Sequence, residues 1–105
     1  MSDLYPKFII ETTDELGDCL IISKCSYHKQ LAYDISKIKS GGWWNLKDNT
    51  FILKGESHEF GKAKLDDIKK CIENGNVFTN YTLTNSIVDK YNFKYDDGCE
   101  IIFIK

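Results

Sequence analysis

Two stretches decide the fold: Lys7-Phe8-Ile9-Ile10-Glu11-Thr12 and Asp18-Cys19-Leu20-Ile21-Ile22-Ser23-Lys24-Cys25. Both are rich in β-branched and aromatic residues and read as strands. The polar run from Thr13 to Gly17 between them ends in glycine and reads as a turn. Strands this close in sequence predict an antiparallel hairpin. The unbroken apolar middle of the second strand predicts burial on both faces, in the centre of a sheet.

Downstream, Ser26 to Ser40 has no clear period, because Leu31, Ile35 and Ile38 suit a short helix or an irregular link equally well. Gly41-Gly42 marks a break or a close approach of backbones. Trp43-Trp44-Asn45-Leu46 and Thr50-Phe51-Ile52-Leu53-Lys54, joined by Lys47-Asp48-Asn49, read as a second hairpin. Gly55 to Gly61 is a loop. A helix follows from about Lys64 to Asn74, with Leu65, Ile68, Cys71 and Ile72 as its apolar stripe, Asp66 and Asp67 in its first turn and Gly75 at its end. A shorter helix is expected around Thr84 to Tyr91, capped by Thr84 or Asn85. Asn92 to Tyr95 and Cys99 to Ile104, with Asp96-Asp97-Gly98 between them, close the chain as a third hairpin. The strand Ile101-Ile102-Phe103-Ile104 would be adhesive if left at an edge, so it is expected to be central or covered. The class is α+β: one domain over residues 1–105, a mainly antiparallel sheet with one or two packed helices.

Composition narrows the function. Fourteen basic residues, all lysine, face sixteen acidic ones, for a net charge of −2. Without a basic field there is nothing to release counterions from a nucleic-acid backbone, so no nucleic-acid partner is expected. Without arginine, an anion site must rely on lysine, hydroxyls or backbone amides. The four cysteines, Cys19, Cys25, Cys71 and Cys99, stand singly, so neither a zinc ribbon nor a paired dithiol is indicated. The acidic pairs Asp66-Asp67 and Asp96-Asp97 lack calcium- or magnesium-site spacing. No metal or other cofactor is expected. Met1 to Lys7 lacks the basic and apolar regions of a signal peptide, and no apolar run approaches the ~20 residues of a membrane span. A cytoplasmic protein with reduced thiols and no membrane partner is the expectation. Nothing in the sequence sets the oligomeric state, and a monomer is the default.

Three constellations bear chemistry. Gly55-Glu56-Ser57-His58-Glu59-Phe60-Gly61 joins a strand to the strongest helix; such a turn can aim successive amides and a hydroxyl at an anion, or serve merely as a connection. Tyr27-His28 directly follows the second strand, where an imidazole can act as nucleophile or base, or stand simply as an exposed histidine at a strand end. Gly41-Gly42-Trp43-Trp44 can offer an aromatic floor, although adjacent tryptophans on a strand face opposite ways and one belongs to the core.

The order of these pieces is more informative than any one of them. Lys-Phe-Ile-Ile on a first strand, Tyr-His after the second, a glycine run opening a hairpin, Gly-x-Ser-x-x-Phe-Gly-x-Ala before a helix and Asp-Asp-Gly near the end resemble the Janus/Ocnus family of phosphohistidine-phosphatase-like proteins. The pattern touches the chain from Lys7 to Gly98, with a shorter stretch between His28 and Gly41 than the family shows. The resemblance implies a phosphohistidine-phosphatase-like fold and a hydrolase site for a phosphorylated protein or small phosphorylated ligand. It implies His28 as the catalytic residue, and Lys7, Ser57, His58 and Glu59 around the phosphate. Two departures stand out. Trp43 occupies the place of the family's phosphate-holding arginine, and Glu59 puts a carboxylate where the family has a small residue. With Trp43 and Trp44 as an aromatic pocket, the same scaffold would instead serve as a non-catalytic binding module.

Overall fold

The computed structural model describes residues 4–105; the first three residues of the Met1–Lys7 segment read above lie outside that range. Seven strands, β1 (Tyr5–Thr13), β2 (Gly17–Cys25), β3 (Ile38–Lys47), β4 (Thr50–Lys54), β5 (Val77–Phe78), β6 (Asn92–Asp96) and β7 (Ile101–Phe103), accompany one helix, α1 (Leu65–Glu73). They form a single sheet in the order β5-β2-β1-β3-β4-β6-β7. Four pairings are antiparallel, while β2 with β5 and β4 with β6 are parallel. The class is therefore α+β with a sheet majority, and the sheet is mixed.

The three hairpins form where the turns require them. Asp48 and Asn49 both adopt positive φ (51° and 62°), the left-handed pair that matches strand twist in a two-residue connection. The alternation of β1 sorts the two faces. Phe8 and Ile10 join Leu20, Ile22, Phe51, Leu53, Phe93 and Tyr95 under α1, whose Ile68, Cys71 and Ile72 close the larger core. Ile9 and Ile21 meet Cys25 and Leu31 on the opposite face. The apolar middle of β2, buried from Cys19 to Ile22, thus serves both cores.

The segment between β2 and β3 contains two 3₁₀ turns, His28–Leu31 and Ile35–Lys37. The carboxylate of Glu11, 1% exposed, fixes this link by accepting the amides of Tyr33 and Asp34 at 2.8 Å each.

The helix expected at Thr84 to Tyr91 does not form. Leu83 and Ile87, four residues apart, would share one face of any helix. Instead Leu83 packs against the smaller core and Ile87 enters the larger one. The amide of Ile87 bonds to the carbonyl of Val77 on β5, and that of Asn92 bonds to Asn49 at the start of β4. Only five peptide steps separate these anchors, a reach of about 17 Å at most. A flat sheet would hold β5 and β6 about 24 Å apart over five strand spacings. The sheet must therefore curl around the larger core.

The terminal strand also departs from expectation. β7 is an edge, paired with β6 alone, and Ile101 and Phe103 are 56% and 63% exposed. The chain after β6 turns back along its outer side, and among the described residues no strand pairs with the far side of β7.

Candidate functional site

Lys7, His28, Trp43 and the loop at Ser57 converge on the smaller-core face of the sheet. Gly41 is the common neighbour. A Cβ there would lie 2.8 Å from the Phe8 carbonyl oxygen, 3.0 Å from Cδ2 of His28 and 3.3 Å from Cβ of Ser57. Gly42 faces the other way, where a Cβ would lie 2.7 Å from the Phe8 ring and 2.6 Å from the Lys54 carbonyl oxygen. The tandem glycines thus admit close packing on both faces of one strand.

His28 is buried, with Nε2 2.8 Å from the carbonyl oxygen of Gly42. A carbonyl only accepts, so Nε2 carries the proton and Nδ1 keeps the lone pair. Among the described residues Nδ1 has no hydrogen-bond partner, and the only fully buried unpartnered side-chain polar atom there is the Ser40 hydroxyl. Nδ1 therefore reaches solvent. Burial, helped by the positive charge of Lys7, lowers the imidazole below its usual range, while the Gly42 carbonyl and the Glu59 carboxylate pull the other way. The resting ring is neutral at pH 7.

Lys7 lies in β1 opposite Trp43 of β3. Its ammonium donates to the Ser26 carbonyl at 2.5 Å and lies 4.9 Å from the Trp43 ring centroid, 5.7 Å from that of Tyr5 and 6.0 Å from that of Tyr27. Such packing offsets part of the cost of burying a cation. Trp43 also meets His28 edge to face, with ring centroids 5.6 Å apart, and so contacts both lysine and imidazole. Sequence reasoning missed Tyr5 here, and did not place Tyr27 against Lys7. Tyr5 is two residues before Lys7 on the same strand face, and that spacing was the available signal.

Ser57 organises its loop. Its amide donates to the Gly41 carbonyl, its hydroxyl accepts from the Phe60 amide, and the Gly61 amide returns to the Ser57 carbonyl. The Ser57 amide expected to face an anion is thus committed to β3. The amides of His58 and Glu59 have no partner among the described residues, and both side chains are exposed. Trp44 does not share the pocket with Trp43. It packs on Phe51 in the larger core, and its indole N–H points at the carbonyls of Lys7 (3.1 Å) and Ser23 (3.0 Å).

Two cavities lie elsewhere. One of ≈ 490 Å³ runs beside Glu11, Tyr33 and Leu83, and one of ≈ 310 Å³ beside Lys24, Gln30 and Tyr81. No group of three or more metal-ligating side chains occurs among the described residues, and no helix there is long and apolar enough to cross a membrane. Set against protein-family models, curated proteins and solved structures, the chain matches none of them.

Proposed function

We propose that this chain binds a phosphoryl group where Lys7, His28 and the Ser57–Gly61 loop meet, and that it is a divergent phosphohistidine-phosphatase-like hydrolase. The observation that carries this reading is a neutral imidazole held by Gly42 through Nε2, with the lone pair of Nδ1 open to solvent. In the reaction, Nδ1 attacks phosphorus, a new N–P bond forms, and the substrate's N–P bond breaks. The departing nitrogen takes a proton from water. A second water then hydrolyses phospho-His28, releasing inorganic phosphate and restoring the imidazole. The free amides of His58 and Glu59 supply donors to the phosphoryl oxygens, and Lys7, beside Trp43, supplies positive charge.

Glu59 favours a second reading, a non-catalytic binding module. A carboxylate beside a bound dianion weakens its hold by a kcal/mol or more. Trp43 then provides an aromatic contact for a ligand or protein. NMR titration with phosphate and then phosphoramidate, followed by turnover of a phosphohistidine peptide monitored by ³¹P signals, separates the two readings. Turnover that disappears in His28→Ala, with the fold retained, supports the hydrolase. Saturable shifts at His58 and Glu59 without product support the module. Hydrolysis unaffected by His28→Ala, or no shift at all, removes the phosphoryl site.

A further inference from the structure

We propose that the free edge of β7 is a self-pairing surface that joins a second copy of this chain antiparallel, about a two-fold axis at Ile102. The phase of the β6–β7 ladder sets which groups point outward. The Asp97 amide bonds to the Glu100 carbonyl and the Ile104 amide to the Phe93 carbonyl. Alternation along an antiparallel pair then turns the N–H and C=O of Ile102 toward β6, and those of Ile101 and Phe103 away from it. The side chains of Ile101 and Phe103 share the exposed face of the strand, while Ile104 packs toward the larger core.

Among the described residues, the strand from Ile101 to Phe103 has none of the usual protections of an edge: no charge, no proline and no covering segment. The opposite edge, β5, is two residues long and buried. Charge identifies the occupant and its direction. One end of β7 is acidic, with Asp96, Asp97 and Glu100; the other is basic, with Lys105 and, on β6 beside Phe103, Lys94. A parallel copy would set Glu100 against Glu100. An antiparallel copy sets the acidic end against the basic end of its mate. The Lys105–Asp89 ion pair at the basic end involves a highly exposed aspartate and is easily exchanged. Centred on Ile102, this register matches Ile101 with Phe103 of the second copy, and the reverse. All four outward residues then pair, in two hydrogen-bonded pairs of two bonds each, and their side chains form one apolar strip.

Sedimentation equilibrium over a wide concentration range tests this directly. A reversible monomer–dimer equilibrium is expected, with the dissociation constant raised at least about tenfold in Ile101→Lys and unchanged in Leu46→Lys, a control at an exposed apolar residue of another strand. In a Cys99→Ser background, Ile102→Cys is expected to form a disulfide-linked dimer, since it meets its own counterpart at the axis. Amide exchange of Ile101 and Phe103 in the unmodified chain is expected to slow as concentration rises, a readout independent of any variant's folding. A monomer at every concentration with concentration-independent exchange, or a dimer indifferent to Ile101→Lys, would overturn the proposal.

Discussion

The backbone of Gly41 and the imidazole of His28 are packed so tightly that a methyl group on Gly41 would lie 3.0 Å from Cδ2 of the ring. The same methyl would lie 2.8 Å from the Phe8 carbonyl oxygen, which is main chain and cannot swing aside. Gly41→Ala is expected to cost roughly 1–3 kcal/mol by overpacking and to displace the His28 resonances. Chemical denaturation and an imidazole NMR spectrum check both effects. An unperturbed His28 in a folded Gly41→Ala variant would contradict this packing.

Glu11 holds the link between β2 and β3 with both carboxylate oxygens. Glu11→Ala strands the amides of Tyr33 and Asp34 and is expected to destabilise by about 2–3 kcal/mol. Glu11→Gln should be nearly as damaging, because its NH₂ group turns a donor toward a donor. Urea midpoints for the two variants distinguish this bidentate role from simple space filling, under which glutamine would be harmless.

The neutral state of His28 makes stability depend on pH. Its folded pKa lies below the unfolded value, chiefly through burial. In the window below the ordinary histidine value of about 6.5, the unfolded chain therefore binds more protons than the folded one. Stability falls as pH drops through that window, down to the folded pKa. His28→Gln, which still donates to Gly42, is expected to lessen this slope. Melting temperatures measured between pH 7.5 and 5 for both proteins give the comparison.

Ser40 lies buried in β3, and its hydroxyl has no partner among the described residues. Ser40→Ala removes a desolvated polar atom and is expected to raise stability by about 1 kcal/mol. A loss of stability in thermal denaturation would show that the hydroxyl has an acceptor after all.

Thiol chemistry offers a count. Cys19, Cys25 and Cys71 are buried, while Cys99 is exposed. Burial raises all three buried thiols, Cys71 to about 12. One thiol is expected to react promptly with a disulfide reagent at pH 8 in the native protein, and four in denaturant. Prompt native modification of more than one would argue against this core.

Local signals made much of the fold legible. The apolar runs of β1 and β2, the Asp48-Asn49 turn, the stripe of α1 and the positive φ of Gly75 are each determined by a few neighbouring residues. Val77-Phe78 was not anticipated, because two residues become a strand only through a parallel partner far away in sequence. The helix expected over Thr84 to Tyr91 failed for a related reason: no local signal shows that Leu83 and Ile87 serve opposite faces of a sheet. At the candidate site, the convergence of Lys7, His28, Trp43 and Ser57 was suggested by the order of motifs, but the division of labour was not. Nothing in the local sequence marks Glu11 as an amide acceptor, or reserves the Ser57 amide for Gly41, since both depend on how distant strands align.

The five-step connection from Ile87 to Asn92 has a consequence for the way the domain opens. It spans the mouth of the curled sheet and anchors at Val77 on one side and Asn49 on the other. Fraying of β5 therefore slackens the tether that holds β6, and loss of β6 frees β5 in turn. The two flanks are coupled by the chain itself. Amide hydrogens of β2 and β4, three strands apart in the sheet, will exchange through one shared global opening instead of through separate local ones.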